Sequence, residues 1–375
     1  MSRKKVLLSI NASWNIVNFR SGLIRALQRQ GYEVWAIAPP DRFSEELIGL
    51  GVDYHPIAMD KQGVSPLRDL LLLLRYWREL GRIRPDVYLG YTAKPNIYGS
   101  LAARARGIAV INNVSGLGTA FIRKSWLTRM VKALYRLAFR GSRTVFFQNE
   151  EDLDQFVRER IVHIGKARLL PGSGIDLGHF QPAPAGKGGS FVFLLIGRML
   201  WDKGVGEYVE AARIVREKLP DARFRLLGPL DVANRTAVAR SEVESWVAEG
   251  LIDYLGEADD VRPHIAEADC IVLPSYREGL PRTLLEGAAM ARPLIATDVP
   301  GCRTLVEHGV NGKLCAVRDS GALAAAMLEV ANLSAEERAR LGAAGRAKVE
   351  AGYGEERVAS LYLEAIEEAL KSPVR

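Results

Sequence analysis

The sequence predicts an α/β protein built from two doubly wound domains, each a parallel sheet with helices on both faces. The chain has 375 residues, which is more than one hydrophobic core usually supports. Short apolar, β-rich runs alternate with helix-length segments along the whole chain, and this is the pattern of βαβ units. The alternation restarts after residues 181–189, a stretch rich in Pro, Ala and Gly that has no apolar period. We interpret that stretch as a linker.

The predicted strands fall into two sets. They lie at 6–10, 33–38, 52–57, 87–90, 109–112 and 144–148 in the first half, and at 191–196, 223–227, 252–255, 270–273 and 294–297 in the second. The resulting domains cover 1–180 and 190–355, followed by a C-terminal helix over 356–375 that could cross back to the first domain. Ligands of such folds bind beyond the carboxyl ends of the strands, so two facing domains would place one cleft between them.

Composition and cysteine usage restrict the class of protein. With 48% apolar and 25% charged residues, the chain can offset its conformational entropy and is not a disordered protein. The three cysteines, Cys270, Cys302 and Cys315, do not form a disulfide framework and indicate a reducing compartment. The apolar run 70–74 is far shorter than the roughly 20 residues of a membrane span. The first apolar run is too short for a signal peptide, and we expect a cytoplasmic protein.

Positive charge is concentrated in the first half. Up to residue 180 there are 27 Lys and Arg against 15 Asp and Glu, whereas the remainder has 24 against 29. A basic half can meet nucleic acid, an anionic membrane or phosphorylated substrates. A predicted helix over 125–143 carries basic residues at three- and four-residue steps, namely Arg129, Lys132, Arg136, Arg140 and Arg143. A second segment over 68–84 adds Arg75, Arg78 and Arg82. Each segment is either an ordinary solvated face or a surface that lies against anionic lipid.

The segment Ile271–Pro293 predicts a strand, a tight loop and the start of a helix. Gly279 allows close approach of the backbone to a ligand, and Pro281 suits the first helical position. The free amides of Thr283 and Leu284 would then point out of the helix N-terminus, which attracts anions such as phosphate.

Two carboxylates flank that predicted anion site. Glu278 precedes the helix and Glu286 lies about one turn inside it. Because carboxylates repel phosphate, we expect them to accept hydrogen bonds from neutral hydroxyls, such as those of ribose or a hexose. The alternative is that Glu286 is only a favourable acid in a first helical turn.

Two cations follow the first strand of the second domain. Arg198 and Lys203 lie in the loop at the carboxyl end of that strand. A bidentate guanidinium and a compact ammonium group could together neutralise a diphosphate. Arg198 or Lys203 alone does not indicate a diphosphate site. The two residues together with the segment Glu278–Glu286 do indicate one.

These residues carry a family resemblance. The patterns G-R-x-x-x-x-K-G over 197–204 and E-G-x-P-x-x-x-x-E over 278–286 resemble the donor-site motifs of retaining GT-B glycosyltransferases of family 4. The segment 171–182 resembles the family's entry into its interdomain linker. Segments 13–20 and 112–121 are similar to bacterial members that extend undecaprenyl-diphosphate-linked glycans. The resemblance covers essentially the whole chain and is strongest over 191–314.

The resemblance implies a donor site in the second domain. Arg198 and Lys203 would bind the donor diphosphate and Glu278 the transferred sugar, so these three are the expected catalytic residues. Glu286 would bind the ribose hydroxyls, with Leu255 near the base. The other expected donor-site residues are Gly197, Gly279, Leu280, Thr283 and Leu284. The resemblance also implies a UDP-linked N-acetylhexosamine or hexose donor, and no cofactor or metal, because cations and helix amides meet the leaving charge.

The first domain departs from the family pattern at two places. Ser13, Trp14 and Asn15 are expected in the loop where relatives have a glycine pair, and Thr92 to Lys94 replace a histidine found in many members. No catalytic base is therefore assigned, and a front-face retaining displacement does not require one. The expected acceptor-side residues are Asn18, Arg20, Lys94, Gly116 and Gly118.

Asp152 and Asp154 form a D-x-D pattern, which is the metal signature of a different transferase fold. Because they follow Asn149 at the start of a predicted helix over 150–161, we interpret them as acids of a first helical turn. None of the five histidines has a metal-like spacing to another.

The resulting hypothesis is a glycosyltransferase, peripheral at the inner face of the cell membrane, that moves a sugar from a UDP donor to a polyprenyl-diphosphate-linked glycan. Transfer to a soluble acceptor and a sugar-nucleotide epimerase of the same fold remain alternatives, as does a basic nucleic-acid-binding protein with a vestigial donor domain. Against nucleic acid, the basic helix is interleaved with Leu and Met rather than stacking aromatics. A dehydrogenase is excluded because no G-x-G-x-x-G follows the first strand.

Overall fold

The chain forms two compact units. One comprises Met1–Gly174 together with Glu355–Arg375, and the other comprises Ile175–Gly354. The computed structural model describes residues 3–60, 65–116, 126–183 and 189–371.

The first unit contains a parallel sheet of seven strands in the order β3-β2-β1-β4-β5-β6-β7. Its strands are β1 (Lys5–Ser9), β2 (Glu33–Ala38), β3 (Asp53–Pro56), β4 (Val87–Tyr91), β5 (Ala109–Val114), β6 (Thr144–Phe147) and β7 (Ala167–Leu169). The helices around it are α1 (Ser13–Arg29), α2 (Ser44–Gly49), α3 (Pro66–Ile83), α4 (Ser100–Ala105), α5 (Trp126–Phe139) and α6 (Glu150–Arg158). The reversal of strand order between β1 and β4 makes this a doubly wound sheet.

The second unit contains a parallel sheet of six strands in the order β10-β9-β8-β11-β12-β13. Its strands are β8 (Val192–Ile196), β9 (Arg223–Leu227), β10 (Asp253–Tyr254), β11 (Cys270–Leu273), β12 (Leu294–Thr297) and β13 (Gly312–Cys315). Its helices are α7 (Val205–Lys218), α8 (Arg240–Ala248), α9 (Arg262–Glu267), α10 (Arg282–Ala289), α11 (Cys302–Leu305), α12 (Ser320–Asn332) and α13 (Ala335–Gly352). The predicted pair of doubly wound α/β domains is confirmed.

Both faces of each sheet are buried, as the continuous apolar strands predict. In β1, Val6 and Leu8 pack on the side of α1, whereas Leu7 packs on the opposite side, beside α3 and α4. The C-terminal helix α14 (Glu355–Lys371) lies against α1 and buries Tyr362 and Ile366 in the core of the first unit.

The boundary between the units differs from the predicted one. The chain passes into the second unit after Gly174 rather than after residue 180, and returns at Glu355. Ile175 and Phe180 are buried in the core of the second unit, beside α10. These two apolar side chains explain the difference: composition marked 181–189 as the linker, but the hydrophobic residues just before it already belong to the second core.

Among the described residues, no helix is long and apolar enough to cross a membrane. The three cysteines, Cys270, Cys302 and Cys315, are free and buried.

Candidate active site

The residues of the predicted donor site meet at the carboxyl ends of β8 and β11 in the second unit. These strands are paired in register, with Cys270 opposite Phe193 and Ile271 opposite Leu194. The loops that follow them, over 197–204 and 274–281, therefore leave the sheet side by side. The sheet topology thus joins two motifs that are about 80 residues apart in the chain.

An ion pair links the two loops. The ammonium group of Lys203 donates a hydrogen bond to the Glu278 carboxylate, and the two side chains are 23% and 12% exposed. A backbone hydrogen bond of 3.0 Å runs from the Tyr276 amide to the Asp202 carbonyl. Lys203 and Glu278, which the sequence nominated separately, are thus direct partners at one place.

Two glycines allow these loops to pack closely. Gly204 has φ +73°, and a Cβ there would lie 2.1 Å from the Pro274 carbonyl oxygen. Gly301, in the turn after β12, has φ +80°, and its Cβ would lie 2.2 Å from the Gly279 carbonyl oxygen. Both positions require left-handed backbone and leave no room for a side chain. The loop that carries Glu278 is therefore packed closely at its start, by Gly204 on Pro274, and at Glu278–Gly279, by Gly301.

A tyrosine fixes the loop after β11 to α7. The Tyr276 hydroxyl donates a hydrogen bond of 2.6 Å to Glu207 Oε1, and Arg318 lies 4.4 Å from its ring centroid. Burial, reinforced by the Glu207 carboxylate, raises the pKa of Tyr276 to about 12. These residues were not predicted from the sequence, because the contacts of Tyr276 with Glu207 and Arg318 depend on the tertiary structure and not on spacing along the chain.

Helix α10 starts against the end of β8. Pro281 is the N-cap rather than the first helical residue, and no side chain caps this end of the helix. The Thr283 hydroxyl donates to the Ile196 carbonyl at 3.0 Å, which places the first turn of α10 beside the loop that carries Arg198. Leu284 is fully buried beneath it. The N-terminus of α10 thus lies beside the loop after β8, and a helix N-terminus attracts anions.

Glu286 lies inside α10 and is only 8% exposed. Arg282, one helical turn earlier, donates from Nε to Glu286 Oε1 at 2.8 Å. Burial raises the pKa of the Glu286 carboxyl above its usual range, and the neighbouring Arg282 opposes that rise. Arg282 was not among the predicted site residues, although its i,i+4 spacing to Glu286 is the sequence signal that identifies it.

Arg198 is exposed at the end of β8. Within the described part of the chain, no acidic side chain pairs with it. The preceding Gly197 packs against Gly228, where a Cβ would lie 2.0 Å from the Gly197 carbonyl oxygen. Arg198 therefore projects from a fixed backbone with its charge available for a ligand.

The other predicted donor-site residues border the same loops. Leu280 packs partly buried on the core that holds α10. Leu255 follows β10, donates its amide to the Leu226 carbonyl at 2.9 Å and is partly buried.

In the first unit, the residues after β1 do not form the expected loop. Helix α1 begins at Ser13, so Asn18 and Arg20 lie within it. Asn18 donates its side-chain amide to the Trp14 carbonyl at 3.0 Å. Arg20 is 5% exposed, and its guanidinium lies 4.5 Å from the Tyr91 ring centroid. No Gly or Pro interrupts the residues 13–20, and this allows the helix to start earlier than the family pattern suggested.

The remaining acceptor-side predictions lie near the ends of β4 and β5. Lys94 pairs with Asp69 of α3 at 2.8 Å, and both side chains are largely buried. Thr92 has φ +57°, a strained value for a β-branched residue. Gly116 follows β5 with φ +124°, and Gly118 lies outside the described residues. Their predicted contacts with an acceptor stay predictions.

The D-x-D pattern lies at the start of α6. Asn149 is the N-cap and its side chain accepts from the Asp152 amide at 2.8 Å. Its side-chain amide in turn donates to Asp152 Oδ2 at 3.2 Å. Asp152 is 1% exposed, and among the described residues no group of three His, Cys, Asp or Glu could hold a metal ion. Asp152 is an acid of the first turn of α6, as predicted, whereas Asp154 lies in the second turn.

The second unit thus combines two kinds of group. Arg198, Lys203 and the first turn of α10 provide positive potential at the ends of β8 and β11. Glu278 and Glu286 provide acceptors for hydroxyl groups. This combination can bind a diphosphate together with hydroxylated groups at its two ends.

Two family models match the chain. The model described as Glycosyl transferase 4-like matches residues 5–149, and the one described as Glycosyl transferases group 1 matches residues 190–332. Each match falls within one of the two units.

Two relatives align over most of the chain. It is 27% identical, over 96% of its length and 98% of the relative, to the N,N'-diacetylbacillosaminyl-diphospho-undecaprenol alpha-1,3-N-acetylgalactosaminyltransferase of Campylobacter jejuni. It is 25% identical, over 82% of its length and 85% of the relative, to the UDP-Gal:alpha-D-GlcNAc-diphosphoundecaprenol alpha-1,3-galactosyltransferase of Escherichia coli.

Solved structures share the fold. A glycosyltransferase from Rickettsia africae has a TM-score of 0.81 and 17% identity, with 99% of this chain and 100% of that one covered. Anabaena Alr3699/HepE in complex with UDP-glucose has a TM-score of 0.80 and 16% identity, with 97% and 99% covered.

Proposed function

Since the chain belongs to the glycosyltransferases of group 1 and the 4-like family, we propose that it transfers a sugar from a UDP donor to a polyprenyl-diphosphate-linked glycan. The transferred sugar is an N-acetylhexosamine or a hexose. Two relatives named for transfer to undecaprenyl-diphosphate-linked sugars align with the chain over most of its length. The reaction takes place at the inner face of the cell membrane.

The observation that carries this proposal is the convergence of Lys203, Glu278 and the first turn of α10 at the ends of β8 and β11. Lys203 and Arg198 bind the donor diphosphate, and amides of the first turn of α10 add hydrogen bonds to it. Glu278 accepts a hydrogen bond from a hydroxyl of the transferred sugar, and Glu286 from the ribose. The Lys203 ammonium group then lies between the diphosphate and Glu278.

The transfer retains the configuration of the donor sugar and needs no metal. The bond between the anomeric carbon and the diphosphate oxygen breaks, and the acceptor hydroxyl forms the new bond on the same face of the sugar. The leaving phosphate oxygen accepts the proton of that hydroxyl. Negative charge grows on the diphosphate during this step, and the two cations and the helix amides stabilise it more in the transition state than in the ground state.

The test of this proposal is a thermal-stability screen with nucleotide sugars, because a bound ligand raises apparent stability by mass action. UDP-sugars are expected to raise the melting temperature, whereas GDP- and ADP-sugars are not. The UDP-sugar with the largest shift is then assayed for transfer to a polyprenyl-diphosphate-linked sugar. A shift with GDP-sugars alone contradicts the assignment of UDP, and transfer to free sugars but not to the lipid-linked one contradicts the assignment of the acceptor.

A further inference from the structure

Helix α3 of the first unit exposes a continuous apolar stripe. One face of the helix is buried through Leu72, Tyr76, Leu80 and Ile83. The opposite face carries five large apolar side chains that are 43–70% exposed, which we call the α3 stripe: Leu67, Leu70, Leu71, Leu74 and Trp77. Their spacing places them on one side of the helix over about 15 Å. Single exposed leucines are ordinary in proteins, but a continuous row marks an interaction surface.

The exposed charges of α3 are basic. Arg68 and Arg75 follow one edge of the stripe, where Arg68 pairs with Asp60 at 3.1 Å and Arg75 donates to the Ala58 carbonyl at 2.7 Å. Arg78 and Arg82 continue beyond its C-terminal end. The two acids of the helix are engaged elsewhere. Asp69 is buried against Lys94, and Glu79 pairs with Arg82 at 3.5 Å and faces His55. The stripe therefore has a positive rim without exposed negative charge from its own helix.

We infer that α3 lies on an anionic lipid bilayer, with the stripe inserted at the level of the upper acyl chains and its arginines on lipid phosphates. A polar face rich in Arg beside an apolar face of Leu and Trp is the composition of helices that bind in the plane of a membrane. The exposed charge of α3 itself is all positive, and the partly exposed Asp60 offsets only Arg68, so this helix matches a phosphate surface better than a protein surface of both signs. This inference deepens the proposed function, since it identifies the surface that would bring the enzyme to a lipid-linked acceptor.

Helix α5, the other basic segment, uses part of its charge within the first unit. Lys132 pairs with Glu159 at 2.6 Å. Arg136 donates to the carbonyls of Glu159 and Arg160, both at 2.9 Å. The large exposed apolar side chains of the described α5 are Trp126 and Leu137, which lie far apart along the helix and form no continuous row. The continuous row on α3 therefore makes α3 the helix that inserts.

A cavity of about 500 Å³ opens beside the stripe. Leu71, Arg68 and Arg75 belong to its lining, as do Pro39 and Met59 at the ends of neighbouring strands. A helix that lies on the bilayer would thus hold the carboxyl ends of β2 and β3 at the height of the lipid headgroups.

The test compares the double variant Leu70→Asp/Leu74→Asp with the control Ile48→Asp. Ile48 of α2 is 63% exposed in the same unit but lies outside the stripe. We expect wild type and Ile48→Asp to sediment with vesicles of phosphatidylcholine and phosphatidylglycerol. The double variant should lose at least tenfold in vesicle affinity while it keeps the wild-type melting temperature. Equal binding by the double variant would overturn the inference.

Tryptophan fluorescence separates α3 from α5. Brominated lipids should quench the wild-type emission, and Trp77→Phe should remove much of that quenching, whereas Trp126→Phe of α5 should not. The reverse result would move insertion to α5. A stripe that instead joins two copies of the chain would show itself by dissociation of a dimer in the double variant, with vesicle binding unchanged.

The donor screen in lipid-free buffer keeps this inference separate from the proposed function. A protein that responds to UDP-sugars but not to vesicles contradicts the inference alone. One that binds vesicles through α3 but responds to no nucleotide sugar contradicts the proposed function alone.

Discussion

The Lys203 ammonium group donates a hydrogen bond to the Glu278 carboxylate, and this pair joins the loops after two neighbouring strands of the second sheet. Neither group is fully exposed, so each is desolvated in part and depends on the other. The pair therefore has two consequences: it holds the loops together, and it places a positive charge next to the carboxylate that we assign to the transferred sugar.

Lys203→Ala is expected to lower both turnover and stability. Turnover should fall by about two to three orders of magnitude, since a transition-state contact is lost. Stability should fall by about 1–3 kcal/mol, because Glu278 is left without its partner. Denaturant titration and initial rates measure the two effects. The double variant Lys203→Ala/Glu278→Ala should regain part of the stability but none of the turnover. Full stability in Lys203→Ala would show that the pair does not hold the loops.

Arg198→Ala is expected to affect turnover only. Its side chain is exposed, so the free energy of unfolding should change by less than about 0.5 kcal/mol. The activation barrier should rise by about 2.7–4 kcal/mol if the guanidinium meets the leaving diphosphate. The control is Arg340→Ala, an exposed arginine of α13. Wild-type rates in Arg198→Ala at saturating acceptor would remove Arg198 from the diphosphate site.

Glu286 predicts a pH-dependent difference in stability. Its folded-state pKa is raised by burial, so the folded state favours the neutral carboxyl. As pH rises past the usual range of Glu, the unfolded chain ionises first, and wild type loses stability until the folded-state pKa is passed. Glu286→Gln does not titrate. It should therefore gain stability relative to wild type as pH rises past the usual range of a Glu carboxyl.

Urea unfolding at several pH values measures this difference. The same variant should bind a UDP-sugar more weakly than wild type, because an amide is a poorer acceptor for ribose hydroxyls than a carboxylate. A constant stability difference across the pH range would mean that Glu286 ionises as easily in the folded protein as in the unfolded chain.

The sequence predicts every strand of the two described sheets except two edge strands. The runs 33–38, 223–227, 270–273 and 294–297 match β2, β9, β11 and β12 residue for residue, because most of their side chains are apolar and buried. The strands β7 and β13 were missed. They are short edge strands of mixed polarity, Ala-Arg-Leu and Gly-Lys-Leu-Cys, and their positions depend on pairing with β6 and β12 rather than on their own pattern.

The motif residues of the donor site were predictable, but their partnerships were not. The motif spacing predicts Lys203 and Glu278 as site residues, but their ion pair depends on the pairing of β8 with β11 in the sheet. Arg20 was expected to be available to an acceptor, and its stacking on Tyr91 arises from the packing of α1 on β4. Contacts of this kind need the tertiary structure, since local sequence carries no record of which loops become neighbours.

Asp152 and Asp154 differ in a way that tests the absence of a metal. A metal site would need both carboxylates, whereas the cap of α6 involves Asp152 alone. Asp152→Ala should therefore cost about 1 kcal/mol of stability, and Asp154→Ala, which is exposed, should cost little. Turnover of both variants and of wild type should persist in EDTA. A loss of activity in EDTA that Mg²⁺ restores, together with an inactive Asp154→Ala, would establish a metal there.

Gly301 and Gly309 provide a matched pair for testing the close packing around Glu278. Both have φ +80°, a value that L side chains rarely adopt, so alanine is strained at each. A Cβ at Gly301 would meet the Gly279 carbonyl oxygen at 2.2 Å, whereas nothing lies within 4 Å of one at Gly309. Gly301→Ala must therefore push the Glu278–Gly279 backbone away from the turn after β12.

We expect the turnover of Gly301→Ala to be more than tenfold lower than that of Gly309→Ala, and its affinity for UDP-sugars to be weaker. The reason is that displacement of a site residue by about 1 Å can cost two orders of magnitude in rate. Thermal melts and donor titrations compare the stability and the donor affinity of the two variants. Gly309→Ala is the control for alanine at a positive φ. Equal turnover in both variants would show that the position of Glu278 is set by the Lys203 pair alone, and the turn after β12 would then have no part in the site.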